Sequence, residues 1–137
     1  MPDDTRIEEL TVEECWTLLG TVRLGRLAVN ADDGVDIFPV DFLVRERTIL
    51  FSSAPGTKLV DITRHPRVAF EADGIHDYRR WSVVVRGDAR RLAFDEEIES
   101  SGIRGLRTLI PSEKWNYVRI DPAVVTGRRF VSARRRR

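Results

Sequence analysis

VDIFPVDFLVRERTILFSSAPGTKL, residues Val35 to Leu59, decides the fold. Its first half alternates at period two, with Phe38, Val40, Phe42 and Val44 on one face and Val35, Ile37, Asp41 and Leu43 on the other. Both faces are largely apolar, which predicts a strand covered on both sides. Pro39 cannot donate to a ladder, so it predicts an edge or a bulge and leaves a neighbouring amide or carbonyl free for something other than a strand. Arg45, Glu46 and Arg47 supply a polar turn. Thr48 to Ser53 then returns as a second strand, with Ile49 and Phe51 alternating against Leu50 and Ser52.

The second strand runs into Ser52-Ser53-Ala54-Pro55-Gly56-Thr57-Lys58-Leu59. Pro55-Gly56 signals a turn, Thr57 is a good N-cap, and Leu59, Val60 and Ile62 begin a short helix that His65-Pro66 ends. Lys58 therefore falls in the first helical turn, where the helix dipole disfavours a cation by a few tenths of a kcal/mol to ~1 kcal/mol. Free amides, hydroxyls and an ammonium group at one helix entrance make a plausible phosphate site. A solvated lysine on an ordinary capped helix fits the same octet, and the octet weights the two readings equally.

Before this stretch, residues 1–10 read as an acidic N-terminal arm. Thr11 to Glu14 is a capping box opening a helix whose apolar residues are Val12, Cys15, Trp16, Leu18 and Leu19, ending at Gly20. Val22 to Asn30 is a strand and Ala31 to Gly34 a hairpin turn. Arg26, mid-strand, predicts an ion pair with an acidic neighbour such as Asp41. After the short helix, Arg67 to Ala72 is a strand, Asp73 to Arg80 a polar loop, and Trp81 to Leu92 a long strand that Gly87 bends or bulges. Asp95 to Ile110 reads as a helix stopped by Pro111, Trp115 to Ile120 as a final strand, and Asp121-Pro122 leads into Ala123 to Val131.

The 137 residues suffice for one domain with a real core. Charged residues make up 33% but the net charge is +1, so no global field draws the chain to nucleic acid or to a membrane. Lys58 and Lys114 are the only lysines. Cys15 is alone, which fits a reducing compartment, and the lack of a leader or a long apolar run predicts a cytoplasmic protein. His65 and His76 stand near no nucleophile motif, and Asp73, His76 and Asp77 read as a solvated loop, so no metal site is expected. Arg134 to Arg137 come without an aromatic platform or recognition helix and read as a basic tail, residues 132–137. Six consecutive strands with three helices predict a mainly β fold with flanking helices: a six-stranded antiparallel barrel in one domain, residues 11–131. With few groups suited to acid, base or nucleophile work beside an apolar pocket, the chemistry would belong to a bound cofactor.

GRLAV at Gly25 to Val29, FPVDF at Phe38 to Phe42, FSSAPGTKL at Phe51 to Leu59, VAFEAD at Val68 to Asp73 and WSVVVRGDA at Trp81 to Ala89 come in the order and spacing of the pyridoxamine 5'-phosphate oxidase-like proteins. From Thr11 to Val131 the chain resembles their small flavin-binding branch, which includes nitroimidazole-resistance reductases. The resemblance implies a split β-barrel homodimer with FMN in a groove at the subunit interface. It implies a phosphate held by Ser52, Ser53, Thr57 and Lys58, with Phe51 and Leu59 flanking them, and a ring edge along the backbone of Pro39, Val40, Asp41 and Phe42. Trp81 and Ser82 would border the same groove. The implied activity is that of a flavin-dependent oxidoreductase acting on a small molecule, with NAD(P)H as a candidate reductant. The chain is shorter than true pyridoxamine phosphate oxidases and lacks their C-terminal arginine and histidine arrangement, which counts against that reaction. Three alternatives stand behind FMN oxidoreduction: an F420-dependent reductase, with Arg26, Arg128 and Arg129 lining a basic groove; a flavin or haem carrier without turnover; and, last, a nucleic-acid binder.

Overall fold

The computed structural model describes residues 5–53, 56–92 and 116–132. The described elements are β1 (Thr5–Glu9), α1 (Val12–Leu19), β2 (Leu24–Ala31), β3 (Gly34–Arg45), β4 (Thr48–Ser53), α2 (Thr57–Arg64), β5 (Arg67–His76), β6 (Arg79–Arg91) and β7 (Asn116–Ser132). All strand pairs are antiparallel. Strands β2-β3-β4-β7-β6-β5 form a ring that closes by pairing of β5 with β2, and β1 adds to β7 outside it. The expected six-stranded barrel is thus present. The seventh strand comes from the N-terminal arm.

Closure depends on the length of β7. Its start, Asn116 to Ile120, pairs with β4; residues Val118 to Phe130 pair with β6; and Arg128 to Ser132 pair with β1. The expected strand after Trp115 and the segment beyond Pro122 are therefore one element. A register shift between Arg86 and Gly87 bends the β6–β7 pair, as the glycine predicted. Asp73 to Arg80, expected as a polar loop, is instead the end of β5 and the start of β6, joined by a two-residue turn at Asp77-Tyr78. Its polar residues misled the reading because every one of them is exposed although the backbone is paired as a hairpin. Glu46-Arg47 turns in the same way, and all four turn residues have φ between 50° and 63°, the geometry that matches the twist of a tight hairpin.

Inward residues of every strand fill the barrel: Leu27, Val29, Val40, Phe42, Ile49, Phe51, Phe70, Val83, Val85, Val118 and Ile120 are all 5% exposed or less. Phe42 and Phe70 meet edge to face with centroids 4.7 Å apart. Helix α1 is capped as expected, with the Glu14 amide donating to Thr11 Oγ1 and the Thr11 amide to Glu14 Oε1. It seats Cys15 against Gly127, where a Cβ would stand 2.6 Å from the sulfur. Burial raises the Cys15 thiol pKa, in keeping with a core role. The expected helix over Asp95 to Ile110 and the Arg134 to Arg137 tail lie outside the described residues.

The expectation that β3 is covered on both faces holds only in part. Val40 and Phe42 are buried, but Val35 and Ile37 on the outward face are 64% and 68% exposed. A barrel wall has one inner side, so the outer face needs another surface to cover it.

Gly87 also makes a stability prediction. A Cβ there would overlap the Asp121 carbonyl oxygen, which is backbone and cannot swing away. Gly87→Ala is expected to destabilise the fold by about 1 to 3 kcal/mol, read as a lowered thermal midpoint; an unchanged midpoint would contradict the described register.

Candidate functional site

The barrel is open at one seam. Strands β3 and β4 pair from Arg45↔Thr48 only as far as Phe42↔Phe51, whereas β3 continues against β2 from Asp41 to Gly34. Among the described residues, Gly34 to Asp41 therefore have a partner strand on one side alone. Pro39 lies on this half-edge, where its missing N–H disturbs least. The early stop of β4 frees the chain to enter α2 beside the seam. It brings together the Phe38 to Asp41 edge, the end of β4 and the first turn of α2.

Helix α2 begins one residue earlier than expected. Gly56 is the N-cap and Thr57 the first helical residue, and no side chain among the described residues caps the helix entrance. Glycine at this position leaves the first-turn amides without the hydroxyl acceptor that Thr57 was expected to supply. Lys58 follows in the same turn, which has no acidic residue. Its ammonium sits 5.1 Å from the centroid of the Phe38 ring, and it has no ion-pair partner among the described residues. Burial pulls the Lys58 pKa below its ordinary value. An unneutralised, half-buried cation at the positive end of a helix is an arrangement that an anion would complete.

The far end of α2 is tied down. Arg64 Nη1 donates to Asp32 Oδ2 at 2.9 Å, and His65 Nε2 lies 3.3 Å from Asp32 Oδ1, joining the helix to the β2–β3 turn. The His65 bond first, then the Arg64 charge, hold the Asp32 carboxyl below the usual carboxylate range. Ile62, 2% exposed, pins the middle of the helix to the core. Sequence reasoning missed this clamp because its partners are over thirty positions apart. It also missed Phe38 as the neighbour of Lys58, although the alternation pointed that ring inward.

The other expected site residues fall as follows. Val40, Phe42 and Phe51 are core residues, so only their backbones are available to a ligand. Asp41 and Leu59 are half-buried and Pro39 is exposed. Ser53 is buried and faces the interior; Ser52 faces the opposite side, its Oγ buried without a hydrogen-bond partner among the described residues. The Thr57 backbone stands in the first turn of α2. Trp81 is 2% exposed, its indole against Gly74, and Ser82 points outward into a cavity of about 190 Å³ shared with Asp73, Arg80 and Phe130. Ser82 pairs with Asp73 on β5, and β5 and β2 stand between it and the β3 edge, while on β7 it pairs with Arg128 and Ser52 with Tyr117.

Arg26 forms the expected kind of ion pair, but with Glu71 at 2.8 Å and Asp73 at 3.4 Å rather than with Asp41. Register explains the choice: Arg26 stands opposite Glu71 on β5. Burial holds the Glu71 carboxyl above the usual carboxylate range despite that partner. Arg129 is bound to Glu8 at 3.1 Å and lies 3.6 Å from Glu14. Among the described residues no helix is long and apolar enough to cross a membrane.

The model for the family described as pyridoxamine 5'-phosphate oxidase matches residues 11–129. A Corynebacterium glutamicum structure that carries a provisional pyridoxamine 5'-phosphate oxidase name is 38% identical, superposes with a TM-score of 0.82, and is covered over 99% of its chain by 93% of this one. The FAD binding protein from Mycobacterium smegmatis is 39% identical with a TM-score of 0.77, the match covering 90% of this chain and 98% of that one. An uncharacterised Mycobacterium tuberculosis protein is 35% identical over 88 residues, 64% of this chain and 80% of the relative.

The Lys58 environment makes its own prediction for the ligand-free protein. Replacing the cation with Met, of similar length, is expected to raise stability by a few tenths of a kcal/mol to ~1 kcal/mol. Chemical denaturation measures it, and a loss of stability in Lys58→Met would mean that the attraction of the Phe38 ring for the ammonium outweighs the helix dipole.

Proposed function

For a chain that belongs to the pyridoxamine 5'-phosphate oxidase family, we propose flavin binding through a terminal phosphate at the seam, FMN being the preferred form, and oxidoreductase activity on a small molecule. The observation that carries this reading is the half-buried Lys58 ammonium, which has no carboxylate partner among the described residues and stands in the first turn of α2, where no described side chain caps the helix. The donor set suits a phosphate: one ammonium and several backbone amides, with the unbonded Ser52 hydroxyl nearby in sequence. FAD contains the same riboflavin 5'-phosphate half, so the name of the Mycobacterium smegmatis relative supports the same donors.

A bound flavin supplies hydride or electron transfer at its ring. The chain's own groups do the rest. Lys58 and the α2 amides hold the phosphate. The half-edge from Gly34 to Asp41 offers main-chain donors and acceptors to a planar ligand, and the buried Phe42 and Phe51 keep that backbone rigid. No side chain acts as acid or base in this reading. A second copy of the chain closes the groove as a homodimer: it covers the exposed Val35 and Ile37 and brings Trp81 and Ser82 of one protomer toward the Lys58 of its partner. NAD(P)H is the proposed reductant. An F420 groove is less favoured, because Arg26 and Arg129 are already held by carboxylates.

The visible spectrum of the purified protein and mass spectrometry of its released ligand test the reading. A colourless protein that takes up neither FMN nor FAD on titration would sink it, and uptake of F420 alone would transfer the site to the deazaflavin. A bound flavin that neither NADPH nor NADH reduces would make the protein a carrier. Lys58→Ala is expected to weaken FMN binding by about 1.5 to 3 kcal/mol while sparing riboflavin, which lacks the phosphate.

The pH dependence has a defined sign. Only protonated Lys58 attracts phosphate, and burial places its pKa below the ordinary 10.5. FMN affinity relative to riboflavin is therefore expected to fall as pH rises through that lowered value. A ratio that stays constant up to the ordinary lysine range would remove Lys58 from the phosphate site.

A further inference from the structure

We propose that Phe38 is a positioning residue: its ring holds the Lys58 ammonium in place for the ligand's phosphate, and so sets how strongly the site prefers a phosphorylated flavin over an unphosphorylated one. The inference rests on the flavin reading above and adds a residue to it. The ammonium lies 5.1 Å from the ring centroid, within the reach of cation–π attraction. A carboxylate in that position would neutralise the cation and compete with a phosphate. An aromatic face attracts the charge yet leaves all three N–H donors without an anionic acceptor.

The geometry around the pair supports the role. Phe38 stands opposite Leu27 in the β2–β3 ladder and packs partly buried against the main core, so its ring is fixed by the barrel. It precedes Pro39, which keeps the backbone at Phe38 extended. Helix α2 is fixed separately, by Ile62 in the core and by Asp32 at its far end. The four-carbon stem of Lys58 carries its ammonium from one of these anchored elements to the ring on the other. Left alone it would swing into water, because the helix entrance repels a cation. The ring face opposes that swing. The lowered pKa of Lys58, which arises from burial, agrees with a stem that is packed rather than solvated.

Titrating FMN and riboflavin into the full chain, with flavin fluorescence as the readout, tests the assignment in four proteins: wild type, Phe38→Leu, Phe38→Tyr and Lys58→Ala. Leucine keeps an apolar side chain but removes the ring. Phe38→Leu is expected to bind FMN about three- to tenfold more weakly with riboflavin affinity unchanged, and Phe38→Tyr, which keeps the ring, to restore FMN binding. Phe38→Tyr also guards against a folding defect, since it changes the core least. Wild-type FMN affinity in Phe38→Leu alongside a weakened Lys58→Ala would overturn the inference and leave the phosphate site standing. Equal weakening of FMN and riboflavin in Phe38→Leu would reduce the ring to a wall of the pocket, again overturning it. Unchanged FMN binding in Lys58→Ala would overturn the phosphate site itself and this inference with it.

Discussion

Hydrogen bonding between β3 and β4 stops at the Phe42↔Phe51 pair while β3 runs on for eight more residues against β2, and the chemistry of the molecule follows from that stop. Had β4 continued, the edge from Gly34 to Asp41 would be filled by another strand, and α2 could not enter beside it. The barrel can tolerate the gap because it is closed elsewhere. Strand β7 pairs with both β4 and β6 and so completes the ring without needing the missing half of the β3–β4 ladder. Among the described residues the seam leaves the Gly34 to Asp41 edge with a partner strand on one side alone.

Lys58 then shows which side of a balance the site favours. An uncapped helix entrance and a half-buried cation in its first turn both work against stability. The Phe38 ring and a tethered helix end offset part of that cost without neutralising the charge. Ion pairs formed readily elsewhere in this chain, as at Arg26, Arg64 and Arg129. Among the described residues the half-buried Lys58 has no such partner.

Much of this was legible in the sequence. Period-two alternation from Val35 to Val44 and from Ile49 to Ser53 gave the strands, Thr11 and Glu14 gave the helix cap, and Gly87 gave the bulge, because each of these is a local signal. Pro39 marked an edge for the same reason. The boundary of α2 was displaced because Thr57 is an excellent cap by type, yet Gly56 takes that position in the folded chain. The partners of Arg26, the Asp32 clamp on α2 and the Phe38–Lys58 contact depend on strand register and helix docking, and no short-range pattern encodes them. The hairpin at Asp77-Tyr78 was hidden by its polar composition. The resemblance groups Trp81 and Ser82 with Lys58; in the sheet β5 and β2 separate them from the β3 edge, a relation that strand order alone decides.

The central claim is that the α2 entrance and Lys58 receive a flavin phosphate, and the ionisation of that phosphate reports on it most directly. Phosphorus NMR of FMN bound to the protein, followed across acid to neutral pH, measures it. A free phosphate monoester loses its second proton near pH ~6. Contact with the ammonium and the helix amides predicts that bound phosphate stays dianionic well below that pH. A bound phosphate that titrates as it does in free solution would contradict the account.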